Sequence, residues 1–369
     1  MKALILSCSI GGGHNAAAAA IKEELISRGH SAIMLDPYAL VCEKLAEELG
    51  SFYISMMKKS PHVYGFIYGL GGIARKAPGQ SPIYYANVSV AKKLEKYLNK
   101  NEFDIIIMTH MYPAELITYL KKHEVSLPTT VYITTDYLCI PYTEETDCDY
   151  YVVPSEKIAK SYVKHKIPKE KILPFGIPVR KQFEEKLSKE EARRILGLEQ
   201  DKYYALVSGG SWGAGRVRSC VKRCIKTFAK RNVNGKVIVV CGTNDHLYKR
   251  LEHLDEEKVI ILRSTKLMAQ YMMASDIFIS KPGGMSSTEA AVVGIPSILT
   301  TPLPGSEKYN MKYFRSGGMA IGTRYVRLML PLALKLLEDE SIVEKMLLDQ
   351  KEKVIRDARQ RICDWIENT

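Results

Sequence analysis

The stretch from Ser280 to Asn310 contains most of the residues whose types and spacing could bind a phosphorylated ligand. An apolar run ends at Ser280, a Gly283-Gly284 turn follows, and helix-compatible residues come next. The first turn of a helix has N–H groups without intrahelical partners and the positive end of the helix dipole. The strand, turn and helix therefore predict a phosphate site. The alternative is an ordinary strand-to-helix turn with a serine N-cap.

The side chains after this turn suggest which phosphorylated ligand is bound. The hydroxyl groups of Ser286, Ser287 and Thr288 could hydrogen bond to a phosphate. Glu289 would repel a phosphate unless its carboxylate points elsewhere, and a ribose diol is its natural partner because a carboxylate accepts two hydroxyl hydrogen bonds. These residue types predict a nucleotide site.

The same stretch resembles the donor-binding signature of glycosyltransferase family 28. This family includes bacterial diacylglycerol glucosyltransferases, plant monogalactosyldiacylglycerol synthases and the lipid-linked N-acetylglucosaminyltransferase of peptidoglycan synthesis. The matching elements in this chain are Lys281-Pro-Gly-Gly284, Thr288-Glu289-Ala290, Gly294-Ile-Pro296, and Pro304-Gly305-x-Glu307 with Asn310.

The resemblance implies a UDP-sugar as the donor and gives these residues roles. In the family, the glycine turn holds the diphosphate, the glutamate of the second element holds the ribose, and the last loop contacts the sugar. Carried over, the donor-binding residues of this stretch are Gly283, Gly284, Ser286, Thr288, Glu289, Ser306, Glu307 and Asn310. The family usually has glutamine where this chain has Ser306, so the identity of the sugar stays open.

A second glycine turn precedes this signature. An apolar run from Tyr203 to Ser208 leads into Gly209, Gly210 and Ser211, which we expect to contribute to the donor site. Further buried strands are predicted at Lys236 to Cys241 and Val259 to Leu262. The resemblance places the base of the nucleotide after the latter strand, near Thr265 and Met268.

The N-terminus repeats the pattern of strand, glycine turn and helix. The predicted strand Ala3 to Ser7 is followed by Gly11, Gly12, Gly13 and His14, a helix from Ala16, and a strand that ends at Asp36. Gly11-x-Gly13-x-x-Ala16 with Asp36 loosely fits a dinucleotide fingerprint. The alternative is the loop of three glycines and a histidine found in family 28, where the glycines permit close approach of the donor or acceptor.

Two side chains are candidates for the base that deprotonates an acceptor. His110 and Asp136 fall just past the ends of predicted strands, on the edge where a parallel sheet binds its ligands. Asp136 also matches the threonine-aspartate motif of the family. His14 and Asp136 are the two candidates, because imidazole and carboxylate are the usual bases. The alternatives are a solvent-exposed His14 and an Asp136 that caps a turn.

The duplicated pattern predicts an α/β protein with the GT-B fold, in which two Rossmann-like domains face each other across a cleft. We expect an N-terminal acceptor-binding and membrane-associating domain at residues 1–178, and a nucleotide-sugar domain at 179–330. Helices at 331–369 are expected to return to the first domain, and residues 341–368 read as one long helix.

Charge predicts an acidic partner. The formal net charge is +12 and the isoelectric point is near 9.1, which suits nucleic acid, anionic lipid or nucleotide phosphates. Residues 51–97 interleave aromatic rings with basic side chains, a composition typical of segments at a membrane surface. A helical hairpin packed in the core is the alternative, and no nucleic-acid-binding motif accompanies the segment. The predicted membrane contacts are Lys58, Lys59, Arg75 and Lys76.

The remaining features argue against a metal or a membrane span. The eight cysteines are scattered without zinc-ligand spacing, which suggests a reducing cytoplasm. Asp147-Cys-Asp149 resembles the metal triplet of another transferase fold but falls in a polar loop, so we interpret it as solvated. No stretch reaches the roughly 18 apolar residues of a transmembrane helix. We expect no metal and no cofactor apart from the UDP-sugar co-substrate, and a location on the inner face of the cell membrane.

Together these features predict an inverting transferase that moves glucose or galactose from a UDP-sugar to diacylglycerol or a similar lipid hydroxyl, which forms a β-glycolipid. The alternatives are a nucleotide-sugar epimerase and a family 28 transferase with another lipid-linked acceptor. A dehydrogenase that uses the first glycine loop and a non-catalytic sensor of UDP-sugars also remain open.

Overall fold

The computed structural model describes residues 1–8, 12–41 and 88–369. The chain forms two compact units: unit 1 contains Met1–Arg180, Pro304–Ser306 and Asp357–Thr369, and unit 2 contains Lys181–Leu303 and Glu307–Arg356. Lys58, Lys59, Arg75 and Lys76 lie outside the described residues. Within these residues, no helix has the length and apolar character needed to cross a bilayer.

Each unit is built on one parallel sheet. In unit 1 the strand order is β2-β1-β3-β4-β5-β6, and in unit 2 it is β12-β11-β10-β7-β8-β9. The strands are β1 Lys2–Leu6, β2 Ser31–Leu35, β3 Ile105–Met108, β4 Thr129–Ile133, β5 Tyr150–Val152, β6 Ile172–Leu173, β7 Tyr203–Ser208, β8 Gly235–Val240, β9 Val259–Leu262, β10 Ile277–Ser280, β11 Ser297–Thr300 and β12 Ile321–Thr323.

Helices connect most of these strands. They are α1 Gly12–Ser27, α2 Val88–Leu98, α3 Met111–Lys122, α4 Glu156–Lys164, α5 Lys181–Glu184, α6 Lys189–Ile195, α7 Val217–Arg231, α8 Asp245–Leu251, α9 Met268–Ala274, α10 Gly284–Val293, α11 Glu307–Ser316, α12 Met329–Glu338, α13 Glu340–Lys353 and α14 Ala358–Glu367. Short 3-10 helices lie at Pro37–Leu40, Thr143–Glu145, Lys169–Lys171 and Val326–Leu328.

The central strands form because they are apolar along their whole length. All four residues of β3 are buried, as are the last four of β1, because helices cover both faces of a parallel sheet. In unit 1, Ala18 and Ile21 of α1 pack in the same core as Ile362 and Cys363 of α14. In unit 2, α7 and α12 belong to the core that covers β7, β8 and β10.

The order of the strands fixes where ligands can bind. In each sheet the chain places its first strand in the interior and then adds strands on both sides, so β1 lies beside β3 and β7 lies beside β10. The connections after the two strands of each pair lead to different sides, which leaves a crevice at their carboxyl ends. Sites in both units are therefore expected after β1 and β3 and after β7 and β10.

The C-terminal tail is not the single long helix expected from its sequence. Helix α13 ends at Lys353, and Val354 takes an extended conformation, with φ −109° and ψ 126°. Val354 is buried, and residues 331–356 belong to unit 2 whereas residues 357–369 belong to unit 1. The tail therefore forms two helices, α13 and α14, and the expectation of one long helix was wrong. Helix α1 also starts earlier than expected, at Gly12, which puts His14 in its first turn.

A buried ion pair anchors α14 to α1. The Arg359 guanidinium is 3% exposed and pairs with Glu24, which also pairs with Arg28 at 2.9 Å between Nε and Oε1. Arg28 in turn reaches Asp364 and Glu367, with Nη1–O distances of 2.6 and 2.7 Å. This network joins the last residues of the chain to the first helix.

Arg359→Ala should therefore lower the free energy of unfolding by about 3 kcal/mol, because it removes one partner of a buried carboxylate. Arg361→Ala is the matched control, because its pair with Asp357 is exposed and should contribute less than about 1 kcal/mol. Thermal unfolding of the two variants compares these effects. Equal midpoints for both variants would show that the buried network does not hold α14.

Candidate active site

The carboxyl ends of β7 and β10 form the first part of the candidate site. Ser208 and Ser280 are paired in register at these ends, and a glycine turn follows each. The hydroxyl oxygens of Ser280 and of Thr300 on β11 are buried and have no hydrogen-bond partner among the described residues. They line a cavity of about 10 Å³, which has room for roughly one water molecule. This edge can therefore offer hydroxyl groups to a polar ligand.

The glycine loop after β7 folds tightly against the loop after β8. A Cβ atom at Gly209 would lie 2.5 Å from the carbonyl oxygen of Ala214, and one at Gly213 would lie 2.0 Å from that of Cys241. Asn244 fixes the contact because its Nδ2 donates to the Gly213 carbonyl at 3.0 Å. Only glycine fits at these two positions, which explains the composition of the loop. Ser211 is exposed in the same loop.

Lys281 lies between the two glycine turns. A Cβ atom at Gly210 would lie 3.3 Å from its Cε, and one at Gly283 would lie 3.4 Å from its Nζ. The ammonium is paired with Oε1 of Glu307, whose Oε2 accepts a hydrogen bond from the Leu303 N–H at 2.7 Å. The Glu307 carboxylate is thus engaged inside unit 2, where it holds Lys281 in place. Lys281 is part of the matching sequence motif, but neutralisation of the charge of a diphosphate by this residue was not predicted.

Helix α10 begins without a side-chain cap. Its N-cap is Gly283, in an extended conformation, so the serine N-cap is not formed. The Thr288 hydroxyl is fully buried and donates to the Gly284 carbonyl at 2.7 Å, and the buried Ser287 hydroxyl oxygen has no hydrogen-bond partner within the described part of the chain. The half-buried Ser286 lies near the turn, with its Oγ 4.0 Å from where a Gly283 Cβ would be. The uncapped first turn of α10 is thus a possible anion site.

The other predicted donor residues lie on several different elements. Glu289 is half-buried on α10, and Asn310 is fully buried on α11. Thr265 follows β9, where its Oγ1 accepts a hydrogen bond from the Leu267 N–H at 2.9 Å, and Met268 begins α9. Ser306 lies between β11 and α11, in the short segment that groups with unit 1.

In unit 1, His14 lies at the crevice between β1 and β3. Its Nδ1 is 2.8 Å from the Thr109 carbonyl oxygen and 2.9 Å from the Thr135 Oγ1. A carbonyl oxygen only accepts, so Nδ1 carries the proton and Nε2 carries the lone pair. This tautomer is the one required of a base that acts through Nε2. Gly12 and Gly13 precede His14 in the first turn of α1, and Gly11 lies outside the described residues.

His110 packs against His14, a contact that the sequence did not indicate. The two rings are edge to face with centroids 4.4 Å apart, and the His110 Nδ1 accepts a hydrogen bond from the Tyr112 N–H at 3.1 Å. Burial lowers the pKa of His14, while the charge of Asp136 and the Thr109 carbonyl oppose this shift. Burial, and then the neighbouring His14, hold the pKa of His110 well below its usual value. Both rings are therefore neutral at pH 7.

The aspartates of the Asp147-Cys-Asp149 triplet are partly exposed to solvent, as the solvated-loop interpretation expected, and each is also paired with a lysine. Asp149 pairs with Lys121 at 2.7 Å and accepts hydrogen bonds from the Thr130 N–H and hydroxyl. Asp147 pairs with Lys171 at 3.3 Å. In residues 1–8, 12–41 and 88–369, no three His, Cys, Asp or Glu side chains are grouped so that they could hold a metal ion.

Comparison of the whole chain with solved structures identifies the fold. The chain aligns with MurG of Acinetobacter baumannii over 100% of its length and 99% of that chain, at 12% identity and a TM-score of 0.65. It aligns equally well with the UDP-GlcNAc 2-epimerase of Neisseria meningitidis bound to UDP-GlcNAc, over 100% of both chains, at 13% identity and a TM-score of 0.65. The fold is that of GT-B glycosyltransferases, so the predicted fold class is confirmed.

Sequence comparison identifies the family. Residues 14–179 match the monogalactosyldiacylglycerol (MGDG) synthase family, and residues 204–362 match the glycosyltransferase family 28 C-terminal domain. The chain is 29% identical to the processive diacylglycerol beta-glucosyltransferase of Bacillus cytotoxicus, over 95% of this chain and 88% of that protein. It is 25% identical to the enzyme of the same name from Bacillus pumilus, over 99% and 94%. The chain belongs to glycosyltransferase family 28 and is a glycosyltransferase, as its sequence predicted.

The half-buried histidine pair predicts a dependence of stability on pH. An unfolded histidine gains a proton as the pH falls through about 6.5, whereas the folded His110 stays neutral. Because the unfolded state then binds more protons, the free energy of unfolding decreases as the pH is lowered. For His110 this loss is about 1 kcal/mol between pH 7 and 5.5. His110→Gln should remove this loss of stability. Urea unfolding at pH 7 and at pH 5.5 would measure the free energy of unfolding of the variant and of the wild type. His253→Gln, at an exposed position, should keep the wild-type loss, and a wild-type loss in His110→Gln would contradict the assignment.

Proposed function

We propose that the protein transfers a hexose, glucose or galactose, from a UDP-sugar to diacylglycerol or a similar lipid hydroxyl, with inversion to a β-glycolipid. The observation that carries this proposal is the position of Lys281, a cation held between two glycine turns at the crevice where such sheets bind phosphates. The names of the similar Bacillus enzymes support diacylglycerol as the acceptor.

The donor is proposed to bind along the carboxyl edge of the unit 2 sheet. The diphosphate lies at the glycine turns and the start of α10, and the ribose is bound by Glu289. The loop that carries Ser306 contacts the hexose, together with Asn310. Because both oxygens of Glu307 already have partners, its main role in this proposal is to hold Lys281.

The leaving UDP must be stabilised as its negative charge develops. We assign this task to the Lys281 ammonium and to the uncapped N–H groups of α10, which are preorganised and need no metal ion. Glu307 keeps the ammonium near the turns when no donor is bound. A cation fixed before the reaction costs little reorganisation at the moment of bond cleavage.

His14 is proposed as the base. Its Nδ1–H is bound by Thr109, so the lone pair on Nε2 takes the proton of the acceptor hydroxyl. The acceptor oxygen forms a bond to the sugar C1 while the bond from C1 to the phosphate oxygen breaks and UDP leaves with the electron pair. Asp136 raises the pKa of His14, which means that it stabilises the imidazolium formed in this step. In-line attack inverts C1.

The lipid acceptor suggests a site of action at a membrane surface. We propose that the protein works as a peripheral protein on the inner face of the cell membrane, and its net charge of +12 supports attraction to anionic lipid. Co-sedimentation with anionic vesicles, and its loss when Lys58, Lys59, Arg75 and Lys76 are changed to Glu, tests the predicted basic segment.

The central experiment is incubation of the purified protein with UDP-glucose or UDP-galactose and diacylglycerol in anionic vesicles, with a chelator present. Glycolipid formation with release of UDP would support the reaction and its independence of metal, and the faster donor would identify the sugar. If the protein binds the UDP-sugar but forms no glycolipid, the proposed donor site stands and diacylglycerol is excluded as the acceptor.

His14→Gln should lower kcat in this assay by roughly 10²- to 10⁴-fold, the usual contribution of a general base. The KM for the UDP-sugar should change little, because His14 is assigned to the acceptor. Asp136→Asn retains the imidazole and should cause a smaller loss of kcat. The acidic limb of the pH profile should shift to lower pH, because loss of the Asp136 charge lowers the pKa of His14 and the base then stays unprotonated at a lower pH. A full loss in Asp136→Asn with a mild effect in His14→Gln would make Asp136 the base.

Lys281→Met should weaken UDP binding at least about tenfold, because it removes a charge-assisted contact to the diphosphate. Lys335→Met is the control, since Lys335 is exposed on α12 in the same unit. Isothermal titration calorimetry measures the affinity of both variants for UDP. A second titration with uridine, which has no diphosphate, separates the loss of the charge contact from any change in the nucleoside contacts. Equal affinities of Lys281→Met and wild type for UDP would overturn the donor assignment.

A further inference from the structure

Unit 2 contains a second, larger cavity whose lining is strongly basic. Its volume is about 250 Å³, and it lies at the start of α7 and beside α8. The lining includes Arg216, Arg218, Arg250, His246, Ser219 and Asn244, and no carboxylate. Three arginine residues border this cavity and no carboxylate does, and this composition favours an anionic ligand.

The neighbouring polar groups leave this positive charge available. The Nε of Arg218 is buried and has no hydrogen-bond partner among the described residues. Asp245 is next to the cavity in sequence, but it is paired with Arg263. A buried guanidinium N–H without a hydrogen-bond partner destabilises the folded protein, and an acceptor atom from a ligand would supply the missing hydrogen bond.

The backbone adds further donors. Helix α7 has 15 residues, and its N-cap, Arg216, has φ −93° and ψ 44° and no side-chain hydrogen bond to the first turn. The positive end of this helix thus points toward the same space as the arginine side chains. Uncapped N–H groups, planar guanidinium groups and the Ser219 hydroxyl together form the donor set that phosphate oxygens require.

We propose that this cavity is a second anion site, which binds the phosphate group of a ligand other than the sugar donor. Its volume is below the roughly 300–1,000 Å³ of pockets that enclose whole ligands, so it suits a single phosphate-bearing group. A phospholipid headgroup and a small soluble phosphate compound share this chemistry. The inference goes beyond the proposed transfer reaction and does not depend on it.

The test compares two double variants with the same change of charge. Arg218→Gln with Arg250→Gln removes two guanidinium groups that line the cavity, while Arg216 is kept because it also lines the small cavity beside Lys281. Lys222→Gln with Lys249→Gln is the control, since both lysines are exposed on α7 and α8 and neither lines the cavity. Arg250→Gln alone, at an exposed residue, serves if the first double variant does not fold.

Three probes separate the sources of the phosphate. Inorganic phosphate is titrated calorimetrically with saturating UDP present, so that the donor site is filled. Vesicles of phosphatidylglycerol are compared with vesicles of phosphatidylcholine by co-sedimentation, and UDP affinity is measured separately. In the cavity variant, phosphate binding, phosphatidylglycerol binding or both should weaken at least about tenfold, while the lysine control and UDP affinity should change less than about twofold.

Each outcome decides the proposal. Loss of phosphate binding identifies a soluble ligand class, and loss confined to phosphatidylglycerol vesicles identifies a lipid headgroup. Equal losses in both double variants would reveal only general charge attraction and overturn the site. A matching loss of UDP affinity would overturn it as well, because the cavity would then be part of the donor site. Failure of the proposed transfer reaction would appear separately, as absence of glycolipid in the wild-type protein.

Discussion

In each parallel sheet, the site residues are positioned by the crevice between two adjacent strands from which the chain continues in opposite directions. β1 beside β3, and β7 beside β10, are buried strands whose following helices lead to different sides. Backbone N–H groups and polar side chains can collect only where those helices diverge. His14 and His110 therefore meet at one crevice, and Lys281 lies between the glycine turns of the other.

The two crevices differ in the charge of their main side chains. In unit 1, burial keeps His14 and His110 uncharged, which suits a group that must accept a proton. In unit 2, Lys281 is kept as part of an ion pair by a carboxylate that is itself tied to the backbone of Leu303. A cation held in this way suits an incoming diphosphate. Burial thus keeps the proposed base neutral in unit 1, and the ion pair fixes the position of a positive charge in unit 2.

The strands, the glycine turns and the family could be predicted from the amino-acid sequence alone. Continuous apolar runs such as Ile105 to Met108 favour strands buried on both faces, and Lys281 to Asn310 carries enough spaced residues to be specific. The βαβ order then dictates a parallel sheet, and His14, Asp136 and the glycine turns follow strands at the carboxyl edge, where such sheets bind ligands. The local patterns therefore predicted the fold class and the family correctly.

The contacts between side chains that are distant in sequence could not be predicted and depend on the packing of the fold. His14 and His110 are 96 residues apart, and the fold alone brings their rings together and selects the Nδ1–H tautomer through Thr109. Lys281 and Glu307 are likewise paired by the approach of two loops, which gives the glutamate an internal role that a motif cannot reveal. The break between α13 and α14 arises because the chain changes unit at residue 357. Residue patterns encode local conformation, whereas contacts between distant segments depend on how the elements pack.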